Sequence, residues 1–298
     1  MSAKTIRNAF FNGERPLFGL QDAELINTTF GEGESPLKES SDLKLDQVIF
    51  QWKYPLWYAR NIDVQNSIFE TMSRSGIWYT KNIALTNCTL QAPKLFRRCQ
   101  GVTLSHVQFA DAKETLWTCR DVTMKNCTVT GDYFGKDSQN VVLDHVRIVG
   151  NYAFDGGSHI EAHNCHFVSK DCFWNCEDVT LYDCFLDGEY LAWNTKRLRL
   201  VNCTIVSDQG LNYIDDLTLE NCRLNETDLA FEYCSNVSAQ INGRVDSVKN
   251  PLSGKICADE IGELILDPEK TDPEQVEIVC PKIVSRRTKS DQNQHAKE

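Results

Sequence analysis

The feature that most constrains this chain is a phrase that returns about every 20 residues. It reads apolar, any, apolar, any, Asn/Asp/His, small, any, apolar. Copies include Val102-Thr-Leu-Ser-His106-Val-Gln-Phe109, Val122-Thr-Met-Lys-Asn126-Cys-Thr-Val129 and Leu198-Arg-Leu-Val-Asn202-Cys-Thr-Ile205. The third position falls at residues 25, 45, 64, 85, 104, 124, 143, 162, 181, 200, 219, 239 and 258, at intervals of 19 to 21 residues. Alternation of this kind is that of a strand. Helical arrays need roughly 33 residues or more per unit and are excluded. The expected fold is all-β, a right-handed parallel β-helix of about 13 coils of 19–21 residues. Its coils would stack at the roughly 4.8 Å strand spacing. A left-handed hexapeptide solenoid lacks its six-residue period. A pentapeptide solenoid competes only locally, through Leu219, Leu224 and Leu229, which sit five apart.

The ends depart from the phrase. Residues 1–22, with Phe10, Phe11, Leu17 and Phe18, are expected to cap the first coil. Residues 23–266 form the helix proper, 267–284 a C-terminal cap, and 285–298 a polar tail expected to be disordered.

Thirteen cysteines and a net charge of −11 raise the questions of metal, redox chemistry and partners. The N-terminal residues lack an apolar signal-peptide core, so a cytoplasmic protein with free thiols is expected. The register also accounts for the cysteines. Cys88, Cys127, Cys165, Cys184, Cys203 and Cys222 fall on the inward small position of the phrase. Cys99, Cys119, Cys176 and Cys234 share a second column. Parallel side chains in a file suit neither converging metal ligands nor a disulfide. His163 and His166 would point to opposite sides of a strand. No cofactor or metal is expected. The acidic balance argues against nucleic acid, and no apolar run is long enough to span a membrane. The Asn/Asp/His corner, from Asn27 to Asn221, is read as a structural amide column serving buried backbone.

Two further columns carry the functional expectation. One holds Lys38, Trp57, Trp78, Arg97, Trp117, Lys136, Asp155, Trp174, Trp193, Asn212 and Glu232, each preceded in most coils by an apolar residue. If that neighbour points in, the tryptophans point out. The other lies seven or eight residues before the corner: Glu34, Lys53, Arg74, Lys94, Glu114, Asp132, Asn151, Asp171, Glu189 and Gln209. Together they describe a ring-lined face with a basic end and an acidic end. Aromatic rings beside planar polar groups suit a sugar, which offers an apolar face and hydroxyl edges.

The segments Gly31-Glu-Gly-Glu-Ser-Pro-Leu-Lys-Glu39, Trp52-Lys-Tyr-Pro-Leu-Trp-Tyr58, Gly76-Ile-Trp-Tyr79, Glu114-Thr-Leu-Trp117, Phe173-Trp-Asn175, Gly188-Glu-Tyr190, Phe231-Glu-Tyr233 and Ser247-Val-Lys-Asn-Pro251 build much of that face. They resemble a bacterial family known as domain of unknown function 3737, over about residues 5 to 270. The resemblance implies a pectin-lyase-like, single-stranded right-handed β-helix. Family members are described as hydrolases on the strength of that fold, and no catalytic residue is carried over.

The first functional expectation is a saccharide hydrolase or lyase. Its carboxylates would be Asp171 with Glu189, or Glu114 with Asp132, stacked about one strand spacing apart, in the range for glycoside hydrolysis. Substrate would be held by Trp57, Trp78, Trp117, Trp174 and Trp193, with Lys53, Arg74, Lys94, Arg97, Asp155, Asn175 and Asn194. A lyase would draw on the basic members. The second expectation is a non-catalytic scaffold binding an oligosaccharide or another partner. The third is a homo-oligomer whose tryptophan face is the interface.

Overall fold

A strand with one apolar side must hide that side, and a 20-residue phrase too short to fold alone can do so only by stacking on its copies. The computed structural model describes residues 4–289. The chain forms two units, one ending at His166 and the other beginning at Phe167. Each is a parallel β-solenoid. In the first, Ile6, Leu25, Leu45, Val64, Leu85, Leu104, Met124, Leu143 and Ala162 lie side by side in register. In the second the file is Leu181, Leu200, Leu219, Ala239, Ile256 and Ile278.

That makes about fifteen turns, against the thirteen expected. The extra two are the terminal segments. Lys4–Arg7 pairs with Ala23 to Ile26, and Val276–Val279 pairs with Gly254 to Cys257. The phrase also slips once: Ala239 pairs with Ile256, while Ala258 pairs with Ile241. The slip follows an irregularity that the two-residue period of the apolar pattern conceals. The expected tail starts inside a strand, because Lys282–Arg287 pairs with the strand Gly254–Ile265. Residues 1–3 of the first cap and 290–298 of the tail lie outside the described residues.

The inward columns are closed. Leu25, Leu104 and Leu200 are fully buried, as are Thr28, Val48, Cys165 and Cys222 on the small position. Phe11, Phe30, Phe50 and Phe69 stack along the first unit at 4.7 to 5.5 Å. All thirteen cysteines are free thiols. Burial in apolar surroundings pushes Cys88 up to about 11 and Cys234 up to about 12, so these are inert packing groups. Cys172, which the phrase leaves unplaced, is fully buried in the core too.

The corner column has a different reason from the one expected. Asn27, Asn66, Asn87, His106, Asn126, Asn202 and Asn221 all adopt left-handed φ, between +48° and +55°. Asn, Asp and His tolerate that region better than other side chains. Their amides are exposed and bond each other rather than buried backbone: Asn221 Nδ2 donates to Asn202 Oδ1 at 2.7 Å, and Asn202 Nδ2 to Asp183 Oδ1 at 3.0 Å. Left-handed residues occur at unequal steps (Asn61, Asn66, Ser75, Tyr79), so no five-residue rule operates.

Candidate functional site

In the first unit the expected aromatic column is formed. The neighbours Leu37, Leu56, Ile77, Phe96 and Leu116 are fully buried, which turns Trp57, Trp78, Arg97 and Trp117 outward. The indoles are half-buried and lie against one another. Trp57 stacks on Trp78 at 5.2 Å and 9°. The Arg97 guanidinium sits between two rings, 4.6 Å from Trp78 and 4.7 Å from Trp117. Each indole N–H donates to a carbonyl of the following turn: Trp57 to Ser75, Trp78 to Lys94 and Trp117 to Tyr133, at 2.5 to 2.9 Å. Beside this file runs another, in which Tyr58 stacks on Tyr79 at 4.8 Å and Arg98 lies over Tyr79 at 5.9 Å.

This geometry corrects the sugar-platform expectation for the first unit. A pyranose needs a free ring face. Here Trp78 has one face on Trp57 and the other on Arg97, and Trp57 also meets Tyr54 at 4.6 Å. Only ring edges reach solvent. What the stack presents instead is charge, with guanidinium groups pre-positioned by the rings.

The second expected column is really two. Lys94, Glu114, Asp171 and Gln209 occupy a left-handed position, with φ between +49° and +61°. Arg74, Asp132 and Glu189 occupy the position before it. The backbone ladder fixes the offset: Glu114 N donates to the carbonyl of Asp132, and Asp171 N to that of Glu189. Neither expected carboxylate pair therefore stacks in one column. Asp171 is buried, at 6% exposure, and Glu189 pairs with Lys170 at 3.2 Å. Glu114 is held by Lys94 at 3.1 Å and Arg97 at 3.8 Å, while Asp132 accepts from the Asn151 backbone N–H at 2.8 Å. Lys53 pairs with Glu34 and Asp155 with Lys136.

With the columns separated, the first unit shows a basic ridge. Residues 59–120 contain eight Lys and Arg against four Asp and Glu, inside a chain of net charge −11. Arg74, Arg98 and Lys113 are exposed and have no ion pair among the described residues. Arg60 stands in register beside Lys81, and Arg120 lies one turn beyond the intervening Gln100. Like charges on neighbouring strands repel. Arg98 was visible as part of the basic stretch. Arg60, Lys81, Lys113 and Arg120 were missed, and their signal was the local excess of Lys and Arg over one turn in three.

In the second unit the same two positions are acidic. Asp208 is paired in register with Asp228, and Tyr190 N donates to the Asp208 carbonyl, which sets Glu189 on the preceding turn of that column. Burial, then repulsion from Asp228 and Glu189, raises the Asp208 carboxyl above its ordinary value. Asp228 accepts from the Leu229 N–H at 2.8 Å and from the Ser247 hydroxyl. Trp193 lies between Tyr190 at 4.8 Å and Tyr213 at 5.1 Å, and its N–H donates to the Gln209 carbonyl at 2.6 Å. Trp174 is half-buried. Asn175 and Asn194 form an amide ladder, Asn194 Nδ2 donating to Asn175 Oδ1 at 2.8 Å.

A family model described as a protein of unknown function matches residues 4–279. No curated protein matches the sequence. Among solved structures, the chain is similar to PfbA, a surface adhesin of Streptococcus pneumoniae, at 8% identity and TM-score 0.42, over 97% of this chain and 85% of that one. It is similar to an E. coli bacteriophage tailspike solved in complex with a pentasaccharide, at 10% identity and TM-score 0.39, over 93% and 72% of the two chains. The pentapeptide-repeat protein HetL of Nostoc matches at 12% identity and TM-score 0.20, over 79% and 91%. These likenesses concern the solenoid architecture.

Proposed function

The chain belongs to the DUF3737 family of proteins of unknown function, and on that premise we propose that it is a non-catalytic binding protein for an anionic saccharide, held along the basic ridge of its first unit. The observation that carries this reading is the uncompensated charge: Arg74, Arg98 and Lys113 without ion pairs, and Arg60 beside Lys81 in register. A polyuronate places carboxylates at intervals along an extended chain and would relieve that repulsion. Guanidinium groups fixed against Trp78, Trp117 and Tyr79 lose little freedom when they take a carboxylate in a bidentate pair. A single-stranded nucleic acid is the less suitable polyanion, because base stacking needs ring faces that the tryptophan file has already used. Thirteen free thiols fit a reducing compartment, so we place the protein in the cytoplasm with an oligomeric rather than polymeric ligand.

The test is calorimetry with uronate oligomers, neutral oligomers of equal length and single-stranded DNA. Uronate binding that weakens with salt and with Arg98→Glu supports the reading. DNA bound more tightly than uronate, or a second copy occupying the ridge in sedimentation experiments, overturns it.

One observation favours a second, hydrolytic reading in the other unit. Asp208 and Asp228 stand one strand spacing apart, about 4.8 Å, close to the roughly 5–5.5 Å of retaining glycosidases. Asp208, with its raised carboxyl, would be the acid. Under this reading Asp208→Asn abolishes hydrolysis of whichever oligomer is cleaved; unchanged turnover rejects it.

A further inference from the structure

The strand face of the first unit carries a trough of about 530 Å³ that no column of the sequence announced. That volume is typical of a small-molecule site, roughly 300–1,000 Å³. Its floor exists because two side chains are short. Along the outward strand position the residues run Glu24, Lys44, Asp63 and then Ala84 and Thr103. Along the neighbouring left-handed position they run Asp42, Asn61, Asn82 and then Gly101.

Gly101 interrupts an amide ladder. Asn61 Nδ2 donates to Asp42 Oδ1 at 2.8 Å, and Asn82 Nδ2 to Asn61 Oδ1 at 3.0 Å. The ladder resumes beyond Gly101, where Asn140 Nδ2 donates to Asp121 Oδ1 at 2.8 Å. Asn82 Oδ1 therefore accepts no hydrogen bond among the described residues. It is turned toward the space over Gly101, where a Cβ would lie 2.7 Å from it. An O–H placed there would meet a ready acceptor.

We propose that this trough is a second ligand site, separate from the basic ridge, and that it takes a neutral sugar ring. The charges on its walls compensate one another. Lys44 stands in register between Glu24 and Asp63, and Asp63 accepts from Gln65 Nε2 at 3.2 Å. Asp42 accepts from Asn61, which with Ser41 keeps its carboxyl below the ordinary range. What remains for a ligand is an alternation of acceptors (Asn82 Oδ1, Asp63) and donors (the Thr103 hydroxyl, the Lys44 ammonium), the pattern that vicinal hydroxyls satisfy. The ring's C–H face would rest on Ala84 and Gly101, which offer no side chain to obstruct it.

The experiment is saturation-transfer NMR followed by calorimetry, using a panel of neutral hexose trisaccharides. The proteins are the wild type, Gly101→Asn, Ala84→Lys and Arg98→Glu, each checked by thermal melt. Asn tolerates the left-handed conformation of residue 101 (φ +70°) and the close contact is only with the end of a side chain, so Gly101→Asn should fold while completing the ladder. The expected result is binding of at least one neutral trisaccharide, weakened about tenfold or more by Gly101→Asn and Ala84→Lys and unaltered by Arg98→Glu. Absence of neutral-sugar binding overturns the proposal, as does binding indifferent to both trough-filling variants. Loss of sugar binding in Arg98→Glu alone would assign the ligand to the ridge and reject a separate site. Failure of uronate binding leaves this result independent, because the panel carries no charge.

Discussion

The same two surface positions run through both units and carry opposite chemistry. In the first, Arg74, Lys113, Lys94, Arg97 and Arg98 surround stacked indoles, and the cations themselves are layers of the stack. In the second, Glu189, Asp208 and Asp228 occupy the equivalent step, and Trp193 packs between tyrosines. A solenoid fixes where side chains project and leaves their identity free, so one scaffold can carry a cation-selective and an anion-selective ridge. The difference also has a stability side. A cation lodged between rings gains attraction, whereas carboxylates on adjacent turns repel.

The largest effect expected from this contrast is on folding. Trp117→Ala removes a half-buried indole, its bond to the Tyr133 carbonyl and one side of the Arg97 sandwich, costing about 3 kcal/mol. Trp193→Ala loses comparable packing without the cation, so its cost should be smaller by about 1 kcal/mol. Urea denaturation of both variants checks this, and equal losses would break the contrast. Next comes ligand affinity. Reversing Arg98 and Lys113 together to Glu should weaken uronate binding by tenfold or more, about 1.4 kcal/mol, while neutralising Asp208 and Asp228 should leave it intact. Calorimetry at two salt concentrations reads both.

A smaller effect is titration. Asp208 should protonate above the ordinary carboxylate range in carboxyl-detected NMR, and Asp228→Asn should lower it. Because its folded value is raised, ionised Asp208 opposes folding at neutral pH, and the penalty is relieved as pH falls through that folded value. Asp42, Asp121 and Asp144 in the first unit behave oppositely. Their lowered values contribute stability above the unfolded carboxylate range that is lost as pH falls through the folded values. A low-pH melt of Asp42→Asn against Asp208→Asn should therefore show opposite signs. The smallest effect is expected for Glu34→Gln, which breaks an exposed pair with Lys53 and should cost under about 1 kcal/mol.

Much of the fold was legible because a solenoid repeats its physics every turn. The apolar positions at Leu45, Leu104 and Leu200, the core file from Cys88 to Cys222 and the outward tryptophans all follow from alternation and period. Reading failed where the period was counted loosely. Seven or eight residues before the corner are two adjacent backbone positions, so Lys94, Glu114 and Asp171 were merged with Arg74, Asp132 and Glu189. It failed again at Ala258, where an irregularity shifts the pairing by two residues and the two-residue period hides the shift. Asp208 was invisible for a related reason: its partner Asp228 lies across a register change, so the two are paired in space but not by the phrase.

By itself the sequence determined the architecture, since the spacing of apolar side chains dictates which backbone can bury them. It also determined that rings and charges share one outward face. Only the tertiary structure decided what those rings could do. Whether an indole offers its face or its edge depends on what occupies the next turn, here Trp57 on Trp78 and Arg97 on both Trp78 and Trp117. The trough over Gly101 was likewise undecidable from the chain, because a glycine becomes a site only when its neighbours on adjacent turns are Asn82 and Ala84 and leave an acceptor facing open space.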